Sequence, residues 1–138
     1  MLKDLNLNIR KTILKMLYDL AFADGHFHPS ELDYLKNVIR ELGLEEGEIE
    51  KLKWDEFAFK FELPKEENER IKILYHLLFL SKTDDEVNDS EVEYIRSICL
   101  KLGLREDLVL DLTDVVKAHI GKYLHPDKLL DIIKKYYN

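Results

Sequence analysis

The sequence predicts an all-α protein: a single-domain bundle of seven or eight helices over residues 1–138, with an internal pseudo-twofold repeat of helical hairpins. The first observation behind this is an ungapped repeat. Shifted by 60 positions, residues 10–44 fall on residues 70–104 with 12 of 35 positions identical, far above the level of ordinary composition. The matches are Arg10/Arg70, Ile13/Ile73, Leu14/Leu74, Leu17/Leu77, Leu20/Leu80, Asp24/Asp84, Ser30/Ser90, Glu31/Glu91, Tyr34/Tyr94, Leu42/Leu102, Gly43/Gly103 and Leu44/Leu104. The second is apolar periodicity of helical spacing along nearly the whole chain. The third is a 36% charged fraction beside 46% apolar residues, which suits amphipathic helices with solvated outer faces.

Ile9, Ile13, Leu17, Leu20 and Ala21 trace one face of a first helix over residues 5–23. A loop from Asp24 to Pro29 follows. Ser30 then reads as an N-cap, and Leu32, Leu35, Val38, Ile39 and Leu42 carry a second helix to Gly43, a residue suited to a left-handed stop. Ile49 and Leu52 mark a short helix. Trp54, Phe57, Phe61 and Leu63 predict another before Pro64; the alternation of residues 57–63 resembles a strand, but a lone strand would find no partner in this chain. The aromatic cluster Trp54, Phe57, Phe59 and Phe61 is expected in the core, with the alternation able to leave one or two rings exposed as a partner groove. The second repeat unit runs through Ile73, Leu74, Leu77 and Leu80 to an acidic loop. Ser90 and Glu93 then form a capping box before the helix ending at Gly103. Leu108, Leu112, Val115, Val116 and Ile120 predict a further helix. Pro126 opens the last, with Leu129, Leu130, Ile133 and Tyr137 facing inward.

Charge narrows the function. The chain holds 28 acidic and 21 basic residues, net -7, and has no basic stripe interleaved with aromatics, so nucleic acid is not an expected ligand. Acidic balance suits a cation or a basic partner surface. Cys99 is the single cysteine, so no internal disulfide can form. The first residues contain no apolar leader, and no apolar run approaches the roughly 18 residues of a membrane span. A cytoplasmic protein without membrane insertion is expected.

The polar positions shared by the two units concentrate at the hairpin junctions. Each has an aspartate on the loop, Asp24 or Asp84, and a glutamate in the first turn of the next helix, Glu31 or Glu91. A loop that doubles back can bring these carboxylates together. Each also has a structural use: glutamate complements the positive helix end and aspartate closes a turn.

The run Ala21-Phe22-Ala23-Asp24-Gly25, with Glu31 and an apolar helix ending in Leu42-Gly43-Leu44, resembles the TerB-like family of tellurite-resistance proteins and the related N-terminal domains of DnaJ-like co-chaperones. The resemblance covers about residues 5–120. It implies an all-helical fold with an internal repeat, a stress-related and non-enzymatic role, metal binding, and a protein partner near the membrane. Carried over by position, the implied metal residues are Asp24, Glu31, Asp84 and Glu91. The second junction departs from the pattern: Thr83-Asp84-Asp85 replaces Ala-Asp-Gly, removing the glycine turn.

An oxygen donor set favours Ca²⁺ or Mg²⁺ over Zn²⁺. The loops are not EF-hands, because the twelfth position from Asp24 or Asp85 is Leu35 or Arg96. His26 and His28 would be the nitrogen donors if zinc bound; the second unit has Glu86 and Asn88 there. Cys99 aligns with Ile39 on an apolar face, and His76 and His119 read as packed or half-exposed. The leading expectation is a binding module holding a divalent cation or a basic partner on an acidic surface formed by the two junctions. The alternative is a protein-interaction scaffold with no metal site, and a metal-dependent hydrolase ranks below both.

Overall fold

The computed structural model describes residues 2–21, 29–80, 87 and 89–137. Among these the protein is all-α, with seven α-helices, no strand, and one isolated bridge between Val87 and Ile120. No helix of the described residues is long and apolar enough to cross a membrane. The chain divides into two compact units, Met1–Pro64 and Lys65–Asn138.

In the first unit a 3₁₀ turn, Leu2–Asp4, precedes α1 (Leu7–Ala21), α2 (Pro29–Glu41) and α3 (Glu48–Lys53). The Asn6 side chain caps α1 by accepting from the Ile9 amide at 2.9 Å. Helix α1 packs on α2. Ile9, Ile13, Leu14 and Leu17 are buried on α1, and Leu35, Val38, Ile39 and Leu42 on α2, as helical spacing requires. Gly43 ends α2 at φ +68°. The Leu44 amide reaches back to the Ile39 carbonyl (3.0 Å) and the Gly43 amide to Arg40 (3.1 Å), which is a Schellman stop. Arg10 clasps the hairpin: its Nε donates to the Leu5 carbonyl (2.9 Å) and its Nη1 to the Leu42 carbonyl (3.0 Å), occupying an acceptor the helix end leaves over.

The helix expected over Trp54 to Leu63 is absent. Helix α3 stops in its own Schellman turn, with Asp55 at φ +56° and the Glu56 amide donating to Lys51 at 2.7 Å. The following segment takes neither helical nor sheet hydrogen bonds and lies along α1 instead. The Thr12 hydroxyl accepts the Glu62 amide (3.0 Å), Lys11 Nζ donates to the Ala58 carbonyl (3.0 Å), and Asn6 Nδ2 donates to Glu62 (2.8 Å). Side chains of a helix thus replace the neighbouring strand that alternation would otherwise need. The aromatic cluster is not core: Trp54 is 72% exposed and Phe61 66%, while Phe57 and Phe59 are half-buried.

The second unit comprises α4 (Glu67–Leu80), α5 (Asp89–Lys101), α6 (Glu106–Ala118) and α7 (Pro126–Tyr136). Helix α6 packs on both α5 and α7, and α7 on α4. Buried residues include Ile73, Leu74 and Leu77 of α4, Ile98, Cys99 and Leu102 of α5, Leu108, Leu112 and Val116 of α6, and Leu129, Ile132 and Ile133 of α7. Helix α5 ends as α2 does. Gly103 sits at φ +65°, the Leu104 amide donates to Cys99 (3.1 Å) and the Gly103 amide to Leu100 (3.0 Å).

Several boundaries differ from expectation. Helices α2 and α5 begin at Pro29 and Asp89, one residue ahead of Ser30 and Ser90. The serines therefore stand inside the first turn, and proline at the start of α2 loses nothing by its missing N–H. Helix α6 stops at Ala118, which leaves Ile120 outside it and 43% exposed. Tyr137 follows the end of α7 and is 42% exposed; Ile132 takes the inward place instead.

Candidate functional site

Glu31 is the third residue of α2 and Glu91 the third of α5, and the Glu91 carboxylate stands in the first turn, where it meets the positive end of the helix. Glu91 is half-buried, and Asp89 joins it in the first turn of α5 with its side chain exposed. Asp24 and Asp84, and with them His26 and His28, lie outside the described residues. Among the described residues no group of three His, Cys, Asp or Glu side chains is placed to hold a metal ion.

Val87 is buried, its amide donates to the Lys122 carbonyl (2.9 Å), and its carbonyl accepts the Gly121 amide (2.9 Å). The connection between α6 and α7 therefore anchors the chain two residues before α5. Gly121 adopts φ +80° to present that amide.

Other groups with chemical potential are committed to structure. Cys99 is buried, and burial pushes its thiol up to about 12, which suppresses the thiolate needed for nucleophilic attack. His119 is half-buried with Nδ1 2.8 Å from the Val115 carbonyl and Nε2 3.2 Å from Lys128 Nζ. Since ammonium only donates, this pairing places the imidazole proton on Nδ1. His76 is half-buried against the Tyr75 ring, 5.6 Å between centroids. The Tyr136 hydroxyl donates to the Asp111 carboxylate, and that bond holds the phenol up at about 12. Arg105 grips Asp107 through two bonds (2.8 and 3.0 Å), drawing its carboxyl below the usual range, and lies 5.2 Å over the Tyr136 ring. This group fastens α7 to α6 on an exposed face.

Sequence reasoning favoured a core place for the aromatics and allowed one or two exposed rings, and two are exposed. Trp54 and Phe61 project from the first unit, and Lys11 Nζ lies 5.6 Å over the Phe57 ring. The signal was present in the alternation of residues 57–63, which fits an extended segment better than a helix.

No curated protein and no solved structure gives a significant match to the chain. The family model described as tellurite resistance protein TerB matches residues 1–54, the stretch holding α1, the first junction, α2 and α3, and over that stretch the chain is similar to that family.

Proposed function

We propose that the protein is a non-enzymatic, stress-related binding module of the cytoplasm whose acidic junction residues take a divalent cation or a basic protein partner. The observation that carries this reading is the TerB match across the first junction, where Asp24 and Glu31 stand. The acidic first turns of both junction helices and the net charge of -7 support it. In this reading Asp24 with Glu31, and Asp84 with Glu91, supply oxygen donors, and Ca²⁺ or Mg²⁺ suits them better than Zn²⁺. Carboxylates crowded for a cation repel one another when it is absent, so neutralising one stabilises the empty protein.

Thermal melts and calorimetric titration with Ca²⁺, Mg²⁺, Mn²⁺ and Zn²⁺ test the cation arm. A cation at a hundred times its dissociation constant would stabilise the fold by about 2.7 kcal/mol. Asp24→Asn with Glu31→Gln should abolish that rise at the first junction, and Asp84→Asn with Glu91→Gln at the second. A melting temperature that ignores all four ions in both the native chain and the variants would leave the interaction-scaffold reading. That second reading has its own support in Trp54 and Phe61, two large exposed aromatics in the TerB-like unit or directly after its matched stretch.

A further inference from the structure

The segment after α3 exposes an unpaired backbone edge. The Lys60 carbonyl and the Glu62 amide both meet the Thr12 hydroxyl, at 3.4 and 3.0 Å, and the Ala58 carbonyl meets Lys11. The even-numbered residues thus turn their backbone polar groups toward α1. In an extended chain successive residues alternate in direction, so the odd-numbered ones turn theirs away. The N–H and C=O groups of Phe57, Phe59, Phe61 and Leu63 have no hydrogen-bond partner among the described residues. Such a row is a template for another strand.

We propose that this edge is a homodimer interface, in which residues 57–63 of two copies pair antiparallel about Phe61. The charges select both occupant and register. Centred on Phe61, the pairing sets Lys60 of each copy opposite Glu62 of the other, and Phe59 opposite Leu63. Centring on Phe59 would set Glu56 against Glu62, and centring on Lys60 would set two lysines face to face. Lys60 is exposed, and Glu62 receives Asn6 on Oε2 alone, which leaves Oε1 to accept the second copy's lysine. Phe61, 66% exposed in the single chain, is covered by its twin. Pro64 does not obstruct the ladder, because its missing N–H would lie on the α1 side.

Sedimentation of the full chain over a wide concentration range tests the proposal. A monomer–dimer equilibrium is expected. Lys60→Glu or Glu62→Lys alone should weaken it about tenfold, since each puts like charges opposite at two places, and the double swap should restore it. Phe61→Cys should give a disulfide-linked dimer under mild oxidation, because the Cα separation across a hydrogen-bonded antiparallel pair is about 5.5 Å and falls in the disulfide range. Cys99 is buried and will not compete. A monomer at every concentration would overturn the proposal and leave the edge to an extended segment of another protein. A dimer indifferent to the charge swaps, or one in which Phe61→Cys does not cross-link, would overturn the register. Melting curves of the exposed-site variant Lys60→Glu, unchanged from the native chain at concentrations where both are monomeric, separate lost pairing from lost folding.

Discussion

Replacing Thr12 by valine isolates what holds the aromatic segment to α1. Thr12 is fully buried, and valine has nearly its shape, so no cavity is created. The change falls on the hydroxyl, which donates to the Asn8 carbonyl (2.7 Å), reaches the Lys60 carbonyl more loosely (3.4 Å) and accepts the Glu62 amide (3.0 Å). Asn8 keeps its helical partner. The Glu62 amide keeps none and lies in a part-buried place, so water compensates it only in part. The expected cost is about 1–2 kcal/mol, between the net value of a hydrogen bond and the full penalty of an orphaned donor. Thr113 provides the control. It is buried to the same degree, but its hydroxyl only donates within α6, to Val109 (2.9 Å) and Leu110 (3.1 Å). Thr113→Val orphans nothing, and its effect should stay within about 0.5 kcal/mol. Urea unfolding measures both, and amide exchange at Glu62 identifies the mechanism. Equal costs for the two variants, or a Glu62 amide still protected in Thr12→Val, would refute the reasoning.

The two left-handed glycines should respond unequally to alanine. Both variants carry backbone strain of about 1–2 kcal/mol, partly offset by the stiffer unfolded chain. A Cβ on Gly43 would also meet Lys3 Cβ at 3.3 Å, whereas one on Gly103 meets nothing within 4 Å. Gly43→Ala should therefore destabilise more in denaturant melts, and the reverse order would count against this geometry. Cys99 should confer a pH dependence at the alkaline end. Its folded thiol is raised from 9.0 to about 12, so only the unfolded chain ionises between those values; stability present below pH 9 should fall as pH rises through that window. Cys99→Ala should flatten the fall, and thiol reagents should label the native chain only on unfolding.

Much of the helical framework was legible in the sequence. Leu35, Val38, Ile39 and Leu42 lie on one face of α2 because helical spacing puts them there, and their burial followed. Gly43 and Gly103 announced two helix ends, since few other residues accept positive φ. The junction positions Glu31 and Glu91 were legible as first-turn carboxylates for the same local reason. The serine caps were less so, because a start shifted by two residues leaves the pattern of apolar positions unchanged.

What the sequence by itself determined was what depends on neighbours a few residues away: helical class, helix ends, the apolar faces and the placing of acidic groups in first turns. Tertiary structure decided the rest. Whether residues 57–63 would be helix, strand or neither depended on Thr12 and Lys11, some 50 residues earlier, offering a hydroxyl and an ammonium to that backbone. Val87 is held by Gly121 and Lys122 through a contact no local pattern encodes. The fate of the aromatics followed from the same cause. Once α1 claimed one side of the segment through its hydrogen bonds, Phe61 was left facing solvent, because a side chain's burial is set by what the folded chain brings to it and not by its own hydrophobicity.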